Sequence, residues 1–385
     1  MRTVFFLTVF SVTLFSSSLY AQTNVITAER IGSNAERFTN MFDRSNGWLG
    51  ADGIYSIPLD GNDNWGNAGK ENATLFVFSD TMLGTADPKT KEYRDVRMVN
   101  HSAAILTKFE PTQTTDRADT MQFFYGKNAD GSRSNLFEGK YWLQDGIVVN
   151  NKLYLTAFIP DERWKPTQLG LITVPLASNK TLNWDGITIT ERFPLFAENE
   201  HYQLLFGAGI LDHSAMDGYI YVYGYRDTLS GGEKHLVASR VKPEFFADGS
   251  QWRFWNGIGW VSDCTAAFCD EATLAERIST ELSVTPIAQD IFLLVFTQDV
   301  MSDRIAYKTG GSPIGPFGET VVFYRAPEER AMGDDVRVYN AKAHPHLSSP
   351  GLLLISYNVN RPGRLPRHTG QYRPRFIELP IEGIR

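Results

Sequence analysis

The stretch TLFVFSDT (residues 74–81) alternates apolar side chains and then ends in polar residues typical of a turn. Similar runs recur at intervals of about 60 to 80 residues, which indicates a repeated unit built from strands. They read KLYLTAFI (152–159), YIYVYGYRD (219–227), IFLLVFTQD (291–299) and LLLISYNVN (352–360). Five such repeats predict an all-β fold, a five-bladed β-propeller with blades of about four strands.

A second set of segments precedes these runs and is predicted to form the innermost strand of each blade. They read GWLGADGIYSIPL, YWLQDGIVV, FGAGILDHSAMDG, STELSVTPIAQD and YNAKAHPHLSSPG. In the first two, Trp48 and Trp142 are followed by Leu and then by an Asp-Gly pair, which contains Asp52 or Asp145. The corresponding positions of the other repeats hold Ala208, Glu281 and Lys342. Inner strands of a propeller converge, so Asp52, Asp145 and Glu281 are expected to share one pocket.

Length, charge and the amino terminus limit the class of protein. Residues 1–21 of the 385 have the pattern of a signal peptide, with Arg2, an apolar stretch and Ala21 before Gln22. We therefore expect residues 22–385 to form one propeller domain that is secreted or periplasmic. The net charge of −7 without a basic patch argues against nucleic acid as a partner. No later apolar run is long enough to predict a membrane span.

The two cysteines, Cys264 and Cys269, stand close together in SDCTAAFCDE. In an oxidising compartment they are expected to close a small disulfide loop. A zinc site is the less favoured reading, because two thiols without a neighbouring histidine make a poor ligand set.

Several short motifs resemble those of known secreted proteins. They are the Asp-Gly after Trp48, SDT (79–81), NHSA (100–103), YNAKAHP (339–345), SYNVN (356–360) and YRPRF (372–376). The chain resembles a secreted bacterial family of unknown function that is related to endo-D-arabinanases. More distantly it is similar to five-bladed propeller glycosidases such as arabinanases and levanases.

The resemblance implies roles for the candidate carboxyl groups. Asp52 would be the nucleophile or base, Asp145 would orient and tune the site, and Glu281 would be the acid. Those glycosidases take their acid from the third blade, whereas Glu281 belongs to the fourth, so Asp212 in ILDHSAMDG is an alternative acid. Glycoside hydrolysis needs one protonated and one ionised carboxyl. Asp52 and Asp145 also suit plain Asp-Gly turns, and Glu281 suits a salt-bridged strand residue.

Other side chains are candidates for binding a sugar. Trp48 and Trp142 are expected to stack on sugar rings, and Asp80, His101 and His213 to contact hydroxyl groups, although each also suits a structural role. The resemblance implies that His344 helps to surround calcium or another ion in the central channel, or contacts the substrate there. A histidine satisfied within the core is the alternative reading of His344.

These features together predict a secreted glycoside hydrolase with a carbohydrate substrate, arabinan-like furanosides first, and no required cofactor. The alternative is a non-catalytic propeller that binds carbohydrate or takes part in surface assembly, because binding needs only hydrogen bonds and stacking. A metal-dependent phosphoesterase or lyase is not favoured, because clustered His and Asp residues at ligand spacing are missing from the sequence.

Overall fold

The computed structural model describes residues 33–69, 73–107, 121–333, 335–363 and 366–385. The predicted signal peptide, residues 1–21, lies outside these ranges and stays a prediction. Three short α-helices occur in the described ranges: α1 (Ser33–Met41), α2 (Ser214–Asp217) and α3 (Glu328–Met332). None of the helices in those ranges has the length and apolar character needed to span a membrane.

The first part of the described chain forms antiparallel sheets that interleave along the sequence. Its strands are β1 (Asn46–Ala51), β2 (Tyr55–Pro58), β3 (Thr74–Phe78), β4 (Thr81–Ala86), β5 (Tyr93–Val99), β6 (Ser102–Leu106), β7 (Met121–Phe124), β8 (Gly126–Lys127) and β9 (Arg133–Ser134). The hydrogen-bonded orders are β2-β3-β6-β7, β1-β4-β5 and β8-β9. Strand β1 therefore pairs outside the sheet that β2 begins.

The rest of the described chain forms four further sheets in sequence order. Their strands are β10 (Trp142–Val149), β11 (Lys152–Pro160), β12 (Pro166–Pro175), β13 (Thr188–Thr190), β14 (Phe196–Glu198), β15 (Tyr202–Asp212), β16 (Ile220–Thr228), β17 (His235–Val241), β18 (Arg253–Trp255), β19 (Trp260–Val261), β20 (Leu282–Ala288), β21 (Ile291–Thr297), β22 (Arg304–Gly310), β23 (Val321–Arg325), β24 (Arg337–Ala343), β25 (Leu352–Asn360) and β26 (Arg375–Pro380). The sheets are β10 to β13, β14 to β19, β20 to β23 and β24 to β26.

Single turns of 3₁₀ helix occur in several of the connections. They are Trp184–Gly186, Pro243–Phe245, Gly249–Gln251, Cys264–Phe268, Asp270–Ala272, Pro345–Leu347 and Thr369–Gln371.

The prediction of an all-β fold is confirmed, and the alternating runs of the sequence form β3, β11, β16, β21 and β25. The prediction of four strands per repeat holds only in part. Within the described ranges, the sheet of β14 to β19 is longer and that of β24 to β26 is shorter. In the longer sheet β14 pairs with β15, the strand predicted to be innermost, so β15 is not an edge strand there.

Apolar clusters fill the spaces between neighbouring sheets. Leu75 of β3 and Leu155 of β11 belong to one cluster, and further clusters join each following pair of sheets. The last sheet packs on the first through Phe376 and Phe76, with Phe42 just after α1 in the same cluster. Burial of these side chains provides the main favourable free energy of folding. The sheets are thus packed in a closed cycle.

Polar side chains on the second strands also join one sheet to the next. The Ser79 hydroxyl donates to the Leu143 carbonyl at 2.7 Å. Thr156 donates to the Gly207 carbonyl at 3.0 Å, and the Asn358 amide donates to the Ala51 carbonyl at 3.3 Å. Buried backbone groups need such partners, so these bonds hold the inner strands in position.

The predicted disulfide is wrong for this structure, in which Cys264 and Cys269 are both free. The Cys264 thiol faces the carbonyl of Phe196 at 3.9 Å. The Cys269 thiol instead faces the carbonyl of Ala266 at 3.2 Å. The 3₁₀ turn Cys264–Phe268 therefore directs the two sulfur atoms toward different partners.

Candidate active site

A cavity of about 350 Å³ is bordered by residues of β10, β11, β15, β16 and β24. Its wall contains two of the predicted catalytic residues, Asp52 and Glu281. The cavity is also lined by Trp142, Gln144, Phe158, Trp164, Gln203, Tyr225, Asp227, Lys234, Tyr339 and Asn340. Two buried carboxyl groups and an aromatic surface therefore face the same space.

Asp52 lies in the corner between β1 and β2, where the chain leaves one sheet and enters another. Its backbone N–H donates to the Asp80 carbonyl at 3.2 Å, and its own carbonyl accepts from the Ser79 N–H at 3.0 Å. Gly53 follows with φ +63°, and a Cβ there would lie 2.5 Å from the Ser79 hydroxyl. The corner thus requires glycine after Asp52.

Burial and neighbouring acids dominate the electrostatics of Asp52. Burial raises the pKa of its carboxyl well above the ordinary value, and the charges of Asp80 and Glu281 raise it further. The hydrogen bond from the Tyr339 hydroxyl and the neighbouring Tyr372 hydroxyl act in the opposite direction and lower the pKa. The Tyr339 hydroxyl donates to Oδ2 at 3.1 Å, whereas Oδ1 is buried without a partner among the described residues.

Asp80 lies next to Asp52 but does not line the cavity. Burial raises the pKa of its carboxyl to about 6, while a hydrogen bond from Asn100 and the charge of Lys140 lower the pKa. The sequence predicted that Asp80 contacts a substrate hydroxyl. Its position instead makes it the electrostatic neighbour of Asp52.

Glu281 immediately precedes β20 and pairs with a buried lysine. Its Oε2 lies 2.6 Å from Nζ of Lys342, and the two side chains are only 3% and 1% exposed. Burial raises the pKa of Glu281, and Lys342 lowers it in part. The salt-bridged reading of Glu281 is thus correct, but the same side chain also faces the cavity.

Asp145 lies outside the cavity, contrary to the expectation that it shares a pocket with Asp52 and Glu281. It lines a much smaller space with Tyr55 and Lys342. Its carboxyl accepts from the N–H of Ile210 at 2.7 Å and from that of Gly146 at 2.8 Å. Burial raises its pKa to about 8, although both hydrogen bonds lower the pKa. Asp145 therefore ties β10 to β15.

Irregular pairing at matching points of the inner strands explains this arrangement. The register shifts between Leu143 and Gly146 in β10, between Phe206 and Gly209 in β15, and between Tyr339 and Lys342 in β24. Such bulges redirect side chains. The residues they align with Asp145 are Ala208 and Ala341. The predicted alignment of Lys342 with Asp145 is thus wrong by one residue.

Asp212 and His213, predicted from the third repeat, lie away from the cavity. The Asp212 carboxylate is exposed and accepts from the N–H of Ser214, the first residue of the short helix α2, at 2.9 Å. The His213 ring packs against Phe292 with centroids 5.4 Å apart. Both residues therefore lie outside the candidate site, contrary to the prediction.

Trp48 and His101 belong to the core rather than to a sugar platform. Trp48 is 1% exposed and stacks on Phe123 at 4.8 Å, because β1 pairs with β4 and lies outside the sheet that contains β2. His101 is fully buried against Phe137, with centroids 4.1 Å apart, and burial lowers its pKa to about 4. Neither ring reaches the cavity.

His344 has no ring nitrogen available for an ion. Nδ1 lies 2.7 Å from the Ser56 hydroxyl and Nε2 lies 2.8 Å from the Ser356 hydroxyl. The alternative reading, a histidine satisfied within the core, describes it better. The described residues contain no group of three or more His, Cys, Asp and Glu placed to hold a metal ion.

Trp142 does line the cavity, and it belongs to an aromatic wall that the sequence only partly predicted. Its ring stacks on Phe158 at 5.1 Å and meets the edge of Trp164 at 6.1 Å. Trp164 is 44% exposed and lies under the Lys140 ammonium at 3.9 Å. Flat exposed rings of this kind can stack on sugar faces.

Two further features of the wall escaped sequence reasoning. Gln144 is 1% exposed, and neither its amide nitrogen nor its amide oxygen has a partner among the described residues. Asp227 and Lys234 form an ion pair in the wall. Charged residues on β16 and after it gave a weak signal for the ion pair, whereas nothing distinguishes Gln144 in the sequence.

A family comparison covers nearly the whole described chain. Residues 35–380 match DUF5005, described as "Domain of unknown function (DUF5005)". The chain belongs to this family. No curated protein matches this DUF5005 chain.

Solved structures extend the comparison at low sequence identity. A "putative hydrolase" from Bacteroides ovatus is 17% identical, with 89% of this chain and 88% of that chain covered and a TM-score of 0.65. This likeness shows a shared fold. Weaker likenesses include a GH62 hydrolase in complex with xylotriose, at 11% identity, coverage of 94% and 99%, and TM-score 0.46. An α-L-arabinofuranosidase from Podospora anserina has 12% identity, coverage of 86% and 98%, and TM-score 0.42.

Proposed function

We propose that this DUF5005 protein is a secreted five-bladed propeller that hydrolyses glycosidic bonds. The blades are the sheets β2-β3-β6-β7, β10 to β13, β14 to β19, β20 to β23 and β24 to β26. Support comes from the apolar clusters between successive sheets and from the hydrogen bond of Ser56 with His344, which joins the first sheet to the last. The sheet β1-β4-β5 is then an addition to the first blade.

The observation that carries the proposed activity is the shared cavity of Asp52 and Glu281. Hydrolysis through an oxocarbenium-like transition state needs one carboxyl to protonate the leaving oxygen and another to attack or to activate water. Burial and mutual repulsion separate the pKa values of two such groups. The proposed site meets both needs without a metal ion or an organic cofactor.

The remaining wall favours a neutral sugar as the occupant. Trp142 and Trp164 provide faces for stacking, and the unpartnered Gln144 amide provides a donor and an acceptor for hydroxyl groups. Lys234 is already paired with Asp227, so the lining offers no free cation for an acidic sugar among the described residues. Arabinan-like furanosides, implied by the sequence resemblance, are the substrates proposed first.

A polysaccharide panel tests the proposal. The purified protein should release sugar from at least one neutral glycan, and Asp52→Asn and Glu281→Gln should each reduce that release by about 100-fold or more. Asp212→Asn is the matched control, because it removes a carboxylate outside the cavity and should leave the activity unchanged. Binding of a glycan without cleavage by any preparation would replace hydrolysis with a carbohydrate-binding function.

A further inference from the structure

We infer that Lys342 decides which carboxyl is ionised: Glu281 is the base or nucleophile, and Asp52 carries the proton as the acid. This order is the reverse of the one implied by the sequence resemblance. The inference rests on the proposed function for its catalytic meaning. The charge order itself is a property of the free protein and can be measured without any substrate.

Lys342 is held as a buried cation by three surrounding groups. Its Nζ lies 2.6 Å from Oε2 of Glu281 and donates to the Asn340 carbonyl at 3.1 Å. The same ammonium lies 4.6 Å from the centroid of the Tyr55 ring. A carboxylate, a carbonyl and an aromatic face each attract an ammonium group. A protonated Glu281 would leave this cation without its counter-charge.

The other groups that face Glu281 do not compete with Lys342. They are Asp52 and the hydroxyls of Tyr55, Tyr225 and Tyr339, and burial raises the pKa of each of these tyrosines. The tyrosines are therefore neutral at physiological pH. Asp145 also lies near the ammonium, but burial raises its pKa to about 8, so it is mostly uncharged at pH 7. Glu281 is left as the main counter-charge of Lys342.

The groups around Asp52, in contrast, favour its protonated form. Its carboxyl faces two other acids, Asp80 and Glu281, and two phenol hydroxyls, those of Tyr339 and Tyr372. No cation makes an ion pair with it among the described residues. Like charges nearby disfavour ionisation, so an ionised Glu281 holds the proton on Asp52. The buried, unpartnered Oδ1 is free to donate that proton to a ligand.

Asp52 and Glu281 divide the proton transfers of hydrolysis between them. The Asp52 hydroxyl gives its proton to the glycosidic oxygen as the bond from that oxygen to the anomeric carbon breaks. If Glu281 first forms a glycosyl ester, the ionised Asp52 takes the proton of the water that hydrolyses the ester, and Glu281 leaves as the carboxylate. If Glu281 instead activates water directly, water supplies the hydroxyl that ends on the anomeric carbon, and its proton ends on Glu281. Proton exchange with solvent then restores both carboxyls. Lys342 does not line the cavity and acts only through its contact with Glu281, so it is a positioning residue.

Carboxyl titration by NMR of ¹³C-labelled free protein tests the charge order. Asp52→Asn and Glu281→Gln assign the two signals, and Glu281 should ionise at a lower pH than Asp52. Lys342→Met should move the Glu281 midpoint upward by at least one pH unit, and Lys342→Arg should restore it. Ionisation of Asp52 before Glu281 in the unsubstituted protein would overturn the inference, even if Lys342→Met fails to fold.

Leaving-group dependence provides the second test on a glycan that the protein cleaves. Asp52→Asn should slow natural glycans far more than activated aryl glycosides, which need little protonation. Glu281→Gln should slow both alike, and the opposite pattern would contradict the inference. Cleavage of no glycan, together with the expected titration order, would refute the proposed function but leave the charge order intact.

Discussion

The hydroxyl of Tyr339 lies 3.1 Å from Oδ2 of Asp52, although 287 residues separate them in the chain. Tyr339 belongs to β24 in the last sheet, and Asp52 lies at the corner that leads into the first. The candidate site is therefore completed only where the two ends of the described chain meet. Any change that loosens this junction should act on Asp52.

Tyr339→Phe tests this dependence directly. The substitution removes a hydrogen bond that lowers the pKa of Asp52, so that pKa should rise. With Asp52 as the acid, the alkaline limb of the pH–activity profile should move to higher pH. The midpoint of the Asp52 carboxyl titration should also move to higher pH. Tyr307→Phe, a half-exposed tyrosine outside the cavity, is the control and should change neither measurement.

The two tryptophans of the repeated motif should respond differently to substitution by alanine. Trp142→Ala removes part of the cavity wall, so the KM for a cleaved glycan, or the Kd of a bound one, should rise about tenfold. Trp48→Ala empties a core site beside Phe123 and should lower the free energy of unfolding by about 3 to 5 kcal/mol. Denaturant unfolding and glycan binding, measured on both variants, separate these effects. Equal loss of binding in a folded Trp48→Ala would contradict the assignment of Trp48 to the core.

The sequence predicted the central strands but not the pairing of strands that places Trp48 in the core. The period-two runs predicted the central strands, because alternating burial is written into the side chains themselves. The repeated Trp-Leu and Asp-Gly pattern located Asp52 but misplaced Trp48, since strand pairing puts β1 with β4. Local similarity cannot reveal such a change of partner. Lys342 was noticed only as a repeat position, because its ion pair with Glu281 depends on packing between the sheet of β20 to β23 and that of β24 to β26.

Asp145 should make the stability of the protein depend on pH. Its pKa rises from 3.8 in the ordinary state to about 8 in the fold, so the unfolded chain binds fewer protons between these values. The stability associated with Asp145 is therefore present at low pH and falls as the pH rises through this window. In Asp145→Asn the free energy of unfolding should fall less steeply with rising pH, by up to about 1.4 kcal/mol per pH unit.

Unfolding curves of Asp145→Asn and of the unsubstituted protein between pH 4 and pH 8 give the measurement, because this interval lies between the ordinary pKa of 3.8 and the pKa of about 8 in the fold. Asp212→Asn is the control, because it makes the same substitution at an exposed position. Parallel curves for Asp145→Asn and the unsubstituted protein would show that Asp145 does not titrate in this range.

His344 should stabilise the junction of the first and last sheets without binding an ion. His344→Ala would leave the hydroxyls of Ser56 and Ser356 without their partner and would open a void, so the free energy of unfolding should fall by about 2 to 4 kcal/mol. His201→Ala is the matched control, since the His201 side chain is 70% exposed. Calcium or a chelator should leave the Tm of the unsubstituted protein unchanged, because both His344 nitrogens are occupied by hydroxyls. A chelator that lowers this Tm, but not that of His344→Ala, would instead establish an ion at His344.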